Sequence, residues 1–124
     1  GGAFFTPGGV ANVFYSCIVR GNSAVHGGGF SMGGEDIFLQ DVQFLDNFAS
    51  SSGGGATVSY LGTGYPMLVT CSFEGNSAYY GGGIYVFSSP HANTSDTFRF
   101  LNNTVVGNYA TFGGGVYVEE LQPG

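Results

Sequence analysis

Apolar and variable positions alternate in short bursts along this chain. Phe30-Ser31-Met32, Ala56-Thr57-Val58, Ile84-Tyr85-Val86 and Val116-Tyr117-Val118 each read apolar, variable, apolar, which is the period of a half-buried strand. A glycine triplet stands directly ahead of every burst, at 27–29, 53–55, 81–83 and 113–115. Further upstream in each copy comes an asparagine, Asn22, Asn47, Asn76 or Asn108, followed two residues later by Ala24, Ala49, Ala78 or Ala110. Three residues before the asparagines stand Val19, Phe44, Phe73 and Val105, and five before them Cys17, Val42, Cys71 and Asn103. The residues between are mostly polar or variable, so these positions predict a second strand with one core face. Phe14, Leu39, Leu68 and Phe100, eight residues before the asparagines, mark a third. No stretch carries the period of a helix.

Self-similarity at this spacing points to a solenoid, a propeller or an array. A propeller blade needs roughly 40 residues and four strands, whereas the shortest interval here is 25 residues, from Asn22 to Asn47. The expectation is an all-β, right-handed parallel β-helix of about four to five coils with three short strands per coil, its coils stacked ~4.8 Å apart. Gly1 to Phe5 form a partial fifth copy. Asn22, Asn47, Asn76 and Asn108 then stack in one column at a bend, bonding to one another and to freed backbone groups, with Asn tolerant of left-handed angles. The alanines face inward at a tight corner, and the glycines permit a sharp bend or positive φ before the next strand. The intervals grow from 25 to 29 to 32 residues, and nearly all the growth falls in the connectors Gly33 to Asp36, Ser59 to Tyr65 and Phe87 to Thr97. One further residue is an extra serine in Ser50-Ser51-Ser52. Such a chain has a constant scaffold and one variable edge.

Phe-x-x-Asn followed by Gly-Gly-hydrophobic-hydrophobic, carried here by Phe44 to Asn47, Phe73 to Asn76 and the four glycine triplets, resembles the repeats of the chlamydial polymorphic outer-membrane proteins and related right-handed parallel β-helix repeat proteins. The resemblance covers essentially the whole chain, with Val19 and Val105 standing where the pattern has Phe. It implies an extracellular or surface-exposed passenger, adhesin or structural protein. Similar repeats also occur in carbohydrate-active enzymes, so the resemblance alone does not select a function.

Composition narrows the choice. The 124 residues suit one domain over 1–124, read as a segment of a longer array or an assembling protomer. Two Arg, no Lys and a net charge of -6 leave no cationic surface for nucleic acid, and no apolar run reaches the ~20 residues of a membrane-spanning helix. Direct membrane insertion is not expected. Asn93-Thr94-Ser95 and Asn102-Asn103-Thr104 are glycosylation sequons, which place Asn93 and Asn102 as modification sites if the chain is secreted through a eukaryotic route.

Catalytic and metal constellations are not expected. A β-helix lyase or hydrolase needs clustered carboxylates on adjacent coils, but Glu35, Asp36, Asp41 and Asp46 spread over one connector and two bends of a single coil and read as solvated turn residues. Ahead of the asparagines the outward positions are Arg20, Leu45, Glu74 and Val106. His26 and His91 have no second ligand at a useful spacing, so no metal and no cofactor are inferred. Cys17 and Cys71 share a strand position two coils apart with Val42 between them, ~9 to 10 Å by coil spacing, and are expected as buried thiols. Tyr85 and Tyr117 form an outward row beside Tyr79, Tyr80 and Tyr109, suited to stacking between coils or to holding a sugar.

The third strand reads apolar on its outward side too, at Val13, Tyr15, Phe38, Met67, Val69 and Leu101. A strand apolar on both faces is usually covered on both, here by the connectors folding back or by another subunit. With no polar terminal strand or capping helix at either end, the coils invite end-to-end stacking unless more protein continues the array. The leading expectation is a structural, extracellular solenoid at the cell surface, part of a filament, appendage or adhesin, with itself or other surface proteins as partners. The alternative is a carbohydrate-binding or polysaccharide-cleaving β-helix that takes glycans, using the Tyr row, the connector with His91 and Asp96, or the acids near Asp41.

Overall fold

The computed structural model describes residues 2–6, 12–33, 37–60, 66–88 and 99–120, and every regular element in them is a β-strand. After β1 (Phe4–Thr6) the strands come in groups of four. The first group is β2 (Asn12–Tyr15), β3 (Ile18–Arg20), β4 (Ser23–His26) and β5 (Phe30–Gly33), and the next is β6 (Ile37–Gln40), β7 (Gln43–Leu45), β8 (Phe48–Ser52) and β9 (Ala56–Tyr60). β10 (Met67–Val69), β11 (Ser72–Glu74), β12 (Ser77–Tyr80) and β13 (Ile84–Ser88) follow, then β14 (Arg99–Leu101), β15 (Thr104–Val106), β16 (Tyr109–Phe112) and β17 (Val116–Glu120).

No strand pairs with its chain neighbour; each pairs, always in parallel, with its counterpart one coil away. The result is four sheets running along one axis: a glycine sheet, β1-β5-β9-β13-β17, which follows the triplets; a connector sheet, β14-β10-β6-β2; a phenylalanine sheet, β15-β11-β7-β3; and an alanine sheet, β16-β12-β8-β4. The expected parallel solenoid is therefore present, with four strands per coil rather than three. The overlooked strand is the one carrying the alanines, which lie mid-strand and not at a corner. Its inward side holds only a methyl group per coil, at Ala49 and Ala78. Inter-coil hydrogen bonds define it more than apolar burial does, so the alternation that marks the other strands is faint.

Three of the four corners turn on a single left-handed residue. Ser16, Asp41, Thr70 and Asn102 (φ 52 to 61°) link the connector sheet to the phenylalanine sheet, and Gly21, Asp46, Gly75 and Gly107 (φ 54 to 67°) link that sheet to the alanine sheet. The first glycine of each triplet (φ 61 to 66°) makes the third corner. The left-handed angle that the sequence suggested for the asparagine column falls instead on the residue before each asparagine. Asp and Asn tolerate this region through their short polar side chains, and glycine has no Cβ to object. The fourth corner is the connector of growing length, whose residues 34–36, 61–65 and 89–98 lie outside the described set.

Inside, each inward position stacks on its equivalents. Val19, Phe44, Phe73 and Val105 make one column, with the rings of Phe44 and Phe73 parallel at 4°, centroids 4.6 Å apart. Leu39 and Leu68, fully buried, continue the column of Phe14 and Phe100. Phe30 joins the two by edge contacts with Phe14 and Phe44 at 5.2 and 6.4 Å. Offset and edge-on ring contacts of this kind add about 0.5–1.5 kcal/mol beyond simple burial.

Among the described residues, the polar column of this interior is the asparagines. Asn76 Oδ1 accepts both the Asn47 backbone N–H (2.9 Å) and Asn47 Nδ2 (3.0 Å), while Asn76 Nδ2 donates to the Phe44 carbonyl (2.8 Å). Asn108 treats Asn76 and the Phe73 carbonyl in the same way, and Asn47 treats Asn22 and the Val19 carbonyl likewise. Asn47 and Asn76 are 1% and 0% exposed, so these bonds answer the whole demand of buried amide and corner backbone. Asn103 repeats the device at the neighbouring corner, accepting the Cys71 N–H (2.7 Å) and donating to the Leu68 carbonyl (2.9 Å). It stands in the column of Cys17, Val42 and Cys71, where the sequence showed an odd polar member without its purpose.

Candidate functional site

With the interior closed by packing and by the asparagine bonds, chemistry toward other molecules falls to the outward rows. Register aligns two of them on the connector sheet: Val13, Phe38, Met67 and Arg99, then Tyr15, Gln40, Val69 and Leu101. All six residues expected to form an apolar face thus share one sheet, and Gln40 and Arg99 are the polar members of these two rows. Val13, Tyr15 and Leu101 are 55%, 59% and 45% exposed, and Phe38, Met67 and Val69 are half-buried. Tyr15 meets the Phe38 ring edge-on at 5.7 Å.

A second surface forms where the outer sides of the alanine and glycine sheets meet at the glycine corner. It is a cleft of about 590 Å³. On the glycine sheet the outward row reads Ser31, Thr57, Tyr85, Tyr117, and on the alanine sheet His26, Ser52, Tyr80, Phe112. Hydroxyls and an imidazole therefore occupy the first two coils, and aromatic rings the next two. Ser52 and Thr57 are 4% and 6% exposed although neither belongs to the apolar core, which marks the corner as concave.

Local sequence explains this concavity. The middle glycines carry no Cβ because a Cβ on Gly54 would lie within 3.0 Å of backbone atoms of Gly82 and Ser77, so the two sheets approach closely. The extra serine of β8 produces a register irregularity against both neighbours: Ala24 to His26 and Ser77 to Tyr80 each oppose one residue more on β8. Bulges of this kind re-aim side chains, and both Ser51 and Ser52 line the cleft. Ser52 Oγ shares a 2.8 Å hydrogen bond with His26 Nδ1, and Thr57 Oγ1 donates to Ser31 Oγ at 3.1 Å.

The aromatic half is tightly stacked. Tyr85 lies parallel to Tyr117 (6°, 5.6 Å), Tyr80 to Phe112 (18°, 5.4 Å), and Tyr80 leans on Tyr117 at 5.2 Å. Tyr79 abuts Tyr80 and Phe112 edge-on, while Tyr109 stands exposed on β16. The Tyr85 hydroxyl donates to a Glu119 carboxylate oxygen, and burial first, then that carboxylate, pushes its pKa above the ordinary phenol value. Tyr85 is therefore a neutral donor throughout the physiological range.

The remaining candidates are not brought together. Arg20, Leu45, Glu74 and Val106 do form one outward row, and Arg20 reaches Asp46 instead at 3.4 Å. With these side chains 68% and 60% exposed, the pair adds little to stability. Asp41 and Asp46 occupy separate bends, and among the described residues no three His, Cys, Asp or Glu group to hold a metal ion. Cys17 and Cys71 are free thiols separated by the Val42 position. Cys71 is buried, and that burial raises its pKa; Cys17 is only half-buried. Asn102 is exposed at its bend. Glu35, Asp36, His91, Asn93, Asp96 and the connector segments weighed as a cover for the apolar face lie outside the described residues. No described helix is long and apolar enough to cross a membrane.

A protein-family model described as the Chlamydia polymorphic membrane protein repeat matches residues 70–86. No curated protein and no solved structure matches the chain. The matched stretch runs from the left-handed Thr70 through Cys71, Phe73, Asn76, Ala78 and the glycine corner into β13, three of the four strands of one coil. The chain is a parallel β-solenoid in which one coil carries this repeat, and the coils on either side place their own asparagine, alanine and glycines in register with it.

Proposed function

We propose that the chain is a structural solenoid of a cell surface, part of an extracellular filament, appendage or adhesin, and that it contacts further copies of itself through the outer face of the connector sheet. The match to a membrane-protein repeat supports the surface setting. The observation that carries the reading is the face itself, with Val13, Tyr15, Phe38, Met67, Val69 and Leu101 aligned in two rows and three of them about half exposed. Apolar area contributes about 25 cal/mol per Å² when removed from water, and a contiguous patch of it on a soluble surface usually marks a contact.

A second copy is the occupant that fits the period. Its rows repeat at the same ~4.8 Å coil spacing, so side chains of two rods interleave along their length. Both copies carry the same net charge of -6, but among the described residues this face contributes Arg99 and no carboxylate, so repulsion is least there.

The test is the double variant Phe38→Ser, Met67→Ser, compared with the native chain by sedimentation velocity and electron microscopy. Native protein should form lateral assemblies that the variant disperses, with thermal unfolding little changed because both side chains point outward. Assemblies that survive both substitutions would count against the interface.

A further inference from the structure

We propose that the cleft between the alanine and glycine sheets binds a short neutral oligosaccharide, with sugar rings stacked on the faces of Tyr85 and Tyr80 and sugar hydroxyls bonded to Ser51, Ser52 and Thr57 one coil away and to His26 two coils away. The site lies on different sheets from the assembly face, so it stands or falls independently of that reading.

The argument begins with a step in side-chain size. In the outward row Ser31, Thr57, Tyr85, Tyr117, the ring of Tyr85 is stacked by Tyr117 on one side, and its other face turns toward the much smaller Thr57. Across the corner the same thing happens at the same level: Tyr80 is stacked by Phe112 on one side and faces Ser52 on the other. Two aromatic faces therefore look in one direction along the axis, over a floor of hydroxyls. That step is the cleft, and its volume of about 590 Å³ falls among the roughly 300–1,000 Å³ of small-molecule sites.

Stacking between coils explains why Tyr85 meets Tyr117 and why Tyr80 meets Phe112. It does not explain why both stacks stop at one level, nor why the floor there is polar and sunken. Ser52 and Thr57 are sunken, yet both line the cleft; each hydroxyl offers one donor and two acceptor lone pairs, and the bonds to His26 and Ser31 use only part of that capacity. A flat apolar face beside a row of donors and acceptors matches a pyranose, which is apolar across its C–H faces and polar around its rim.

Charge selects within that class. Glu119 lines the cleft and accepts the Tyr85 hydroxyl, the chain carries -6 overall, and no lysine or arginine is among the lining residues. Sulfated and uronic-acid chains are disfavoured, which leaves neutral hexoses and N-acetylhexosamines. Glycosidic cleavage generally needs two carboxyl groups flanking the bond. Among the described lining residues Glu119 is the one carboxylate, and it is engaged with Tyr85, so the inference is of binding.

Saturation-transfer NMR and calorimetry on the full chain test this with maltotriose, cellotriose and chitotriose, and with a heparin-derived tetrasaccharide as the anionic control. At least one neutral trisaccharide should bind with a Kd on the order of 1 mM or tighter, transferring saturation from tyrosine ring protons. Tyr85→Ser should weaken that binding about tenfold. Thr57→Tyr separates the two roles of the tyrosines: it extends the Tyr85–Tyr117 stack by one ring, keeping or raising the unfolding temperature, while it fills the step and abolishes binding. No binding of any neutral probe, binding of heparin fragments alone, or unchanged affinity in both variants would each overturn the proposal.

Discussion

Two corners of the same coil handle polarity in opposite ways. At the asparagine corner, side chains turn inward and bond to the backbone of the next coil until nothing is left over; Asn76 alone connects to Asn47, Phe44 and Asn108. At the glycine corner there is no side chain to turn inward. Backbone packs on backbone, the two sheets close up, and polar groups such as Ser52 and Thr57 are left sunken in the cleft that lines the outer side of the bend. The first corner makes the stack self-sufficient and so has nothing to offer a ligand. The second makes a hollow and leaves part of its hydrogen-bonding capacity unfilled.

The largest loss should come from the self-sufficient corner. Asn76→Ala removes the acceptor of the Asn47 backbone N–H and of Asn47 Nδ2, and the donor to the Phe44 carbonyl, all in the interior. Each buried group left without a partner costs about 1–3 kcal/mol, so chemical denaturation should show a loss of about 4 kcal/mol, partly relieved where water enters. A change under about 1 kcal/mol would mean that the column is ornamental.

Next comes the glycine corner. In Gly54→Ala the added methyl meets the Gly82 carbonyl oxygen and backbone atoms of Ser77 rather than any side-chain tip able to swing aside. Overpacking of this kind costs about 1–3 kcal/mol or more, and calorimetric melting should register it. Because the coils must part to admit the methyl, the same variant should alter the signals of Ser52 and Tyr80 across the cleft. The smallest effect belongs to neither corner's interior: Arg20→Ala breaks the exposed contact with Asp46, and its stability should stay within about 0.5 kcal/mol of the native value.

Fixed offsets make the interior readable in the sequence. Phe44 and Phe73, Leu39 and Leu68, and Asn47 and Asn76 stand at equal distances from one another in each copy because they must stack, and stacking tolerates no drift. The alanine strand escaped notice because its inward contribution is one methyl per coil, too little to stand out against the serines around it. Asn103 escaped for a related reason: a polar residue in a column of cysteine and valine looks like a lapse until its bonds to Cys71 and Leu68 are seen. Outward rows were legible one sheet at a time, so the six residues of the apolar face and the Tyr85–Tyr117 row were found. The cleft was not, because it exists only between rows of different sheets. Its one trace in the sequence was the extra serine of Ser50-Ser51-Ser52, which marks the bulge beside it.

The parallel pairing of every strand with its counterpart one coil away also has a mechanical side. All the sheet hydrogen bonds point along the axis, so tension applied end to end loads them in line, and the boundary between two coils is the natural plane of rupture. A sideways load instead bends four sheets braced against a common packed interior. Such a rod resists buckling and shear better than it resists being drawn out, and it gives way by releasing whole coils, each a loop of a different length.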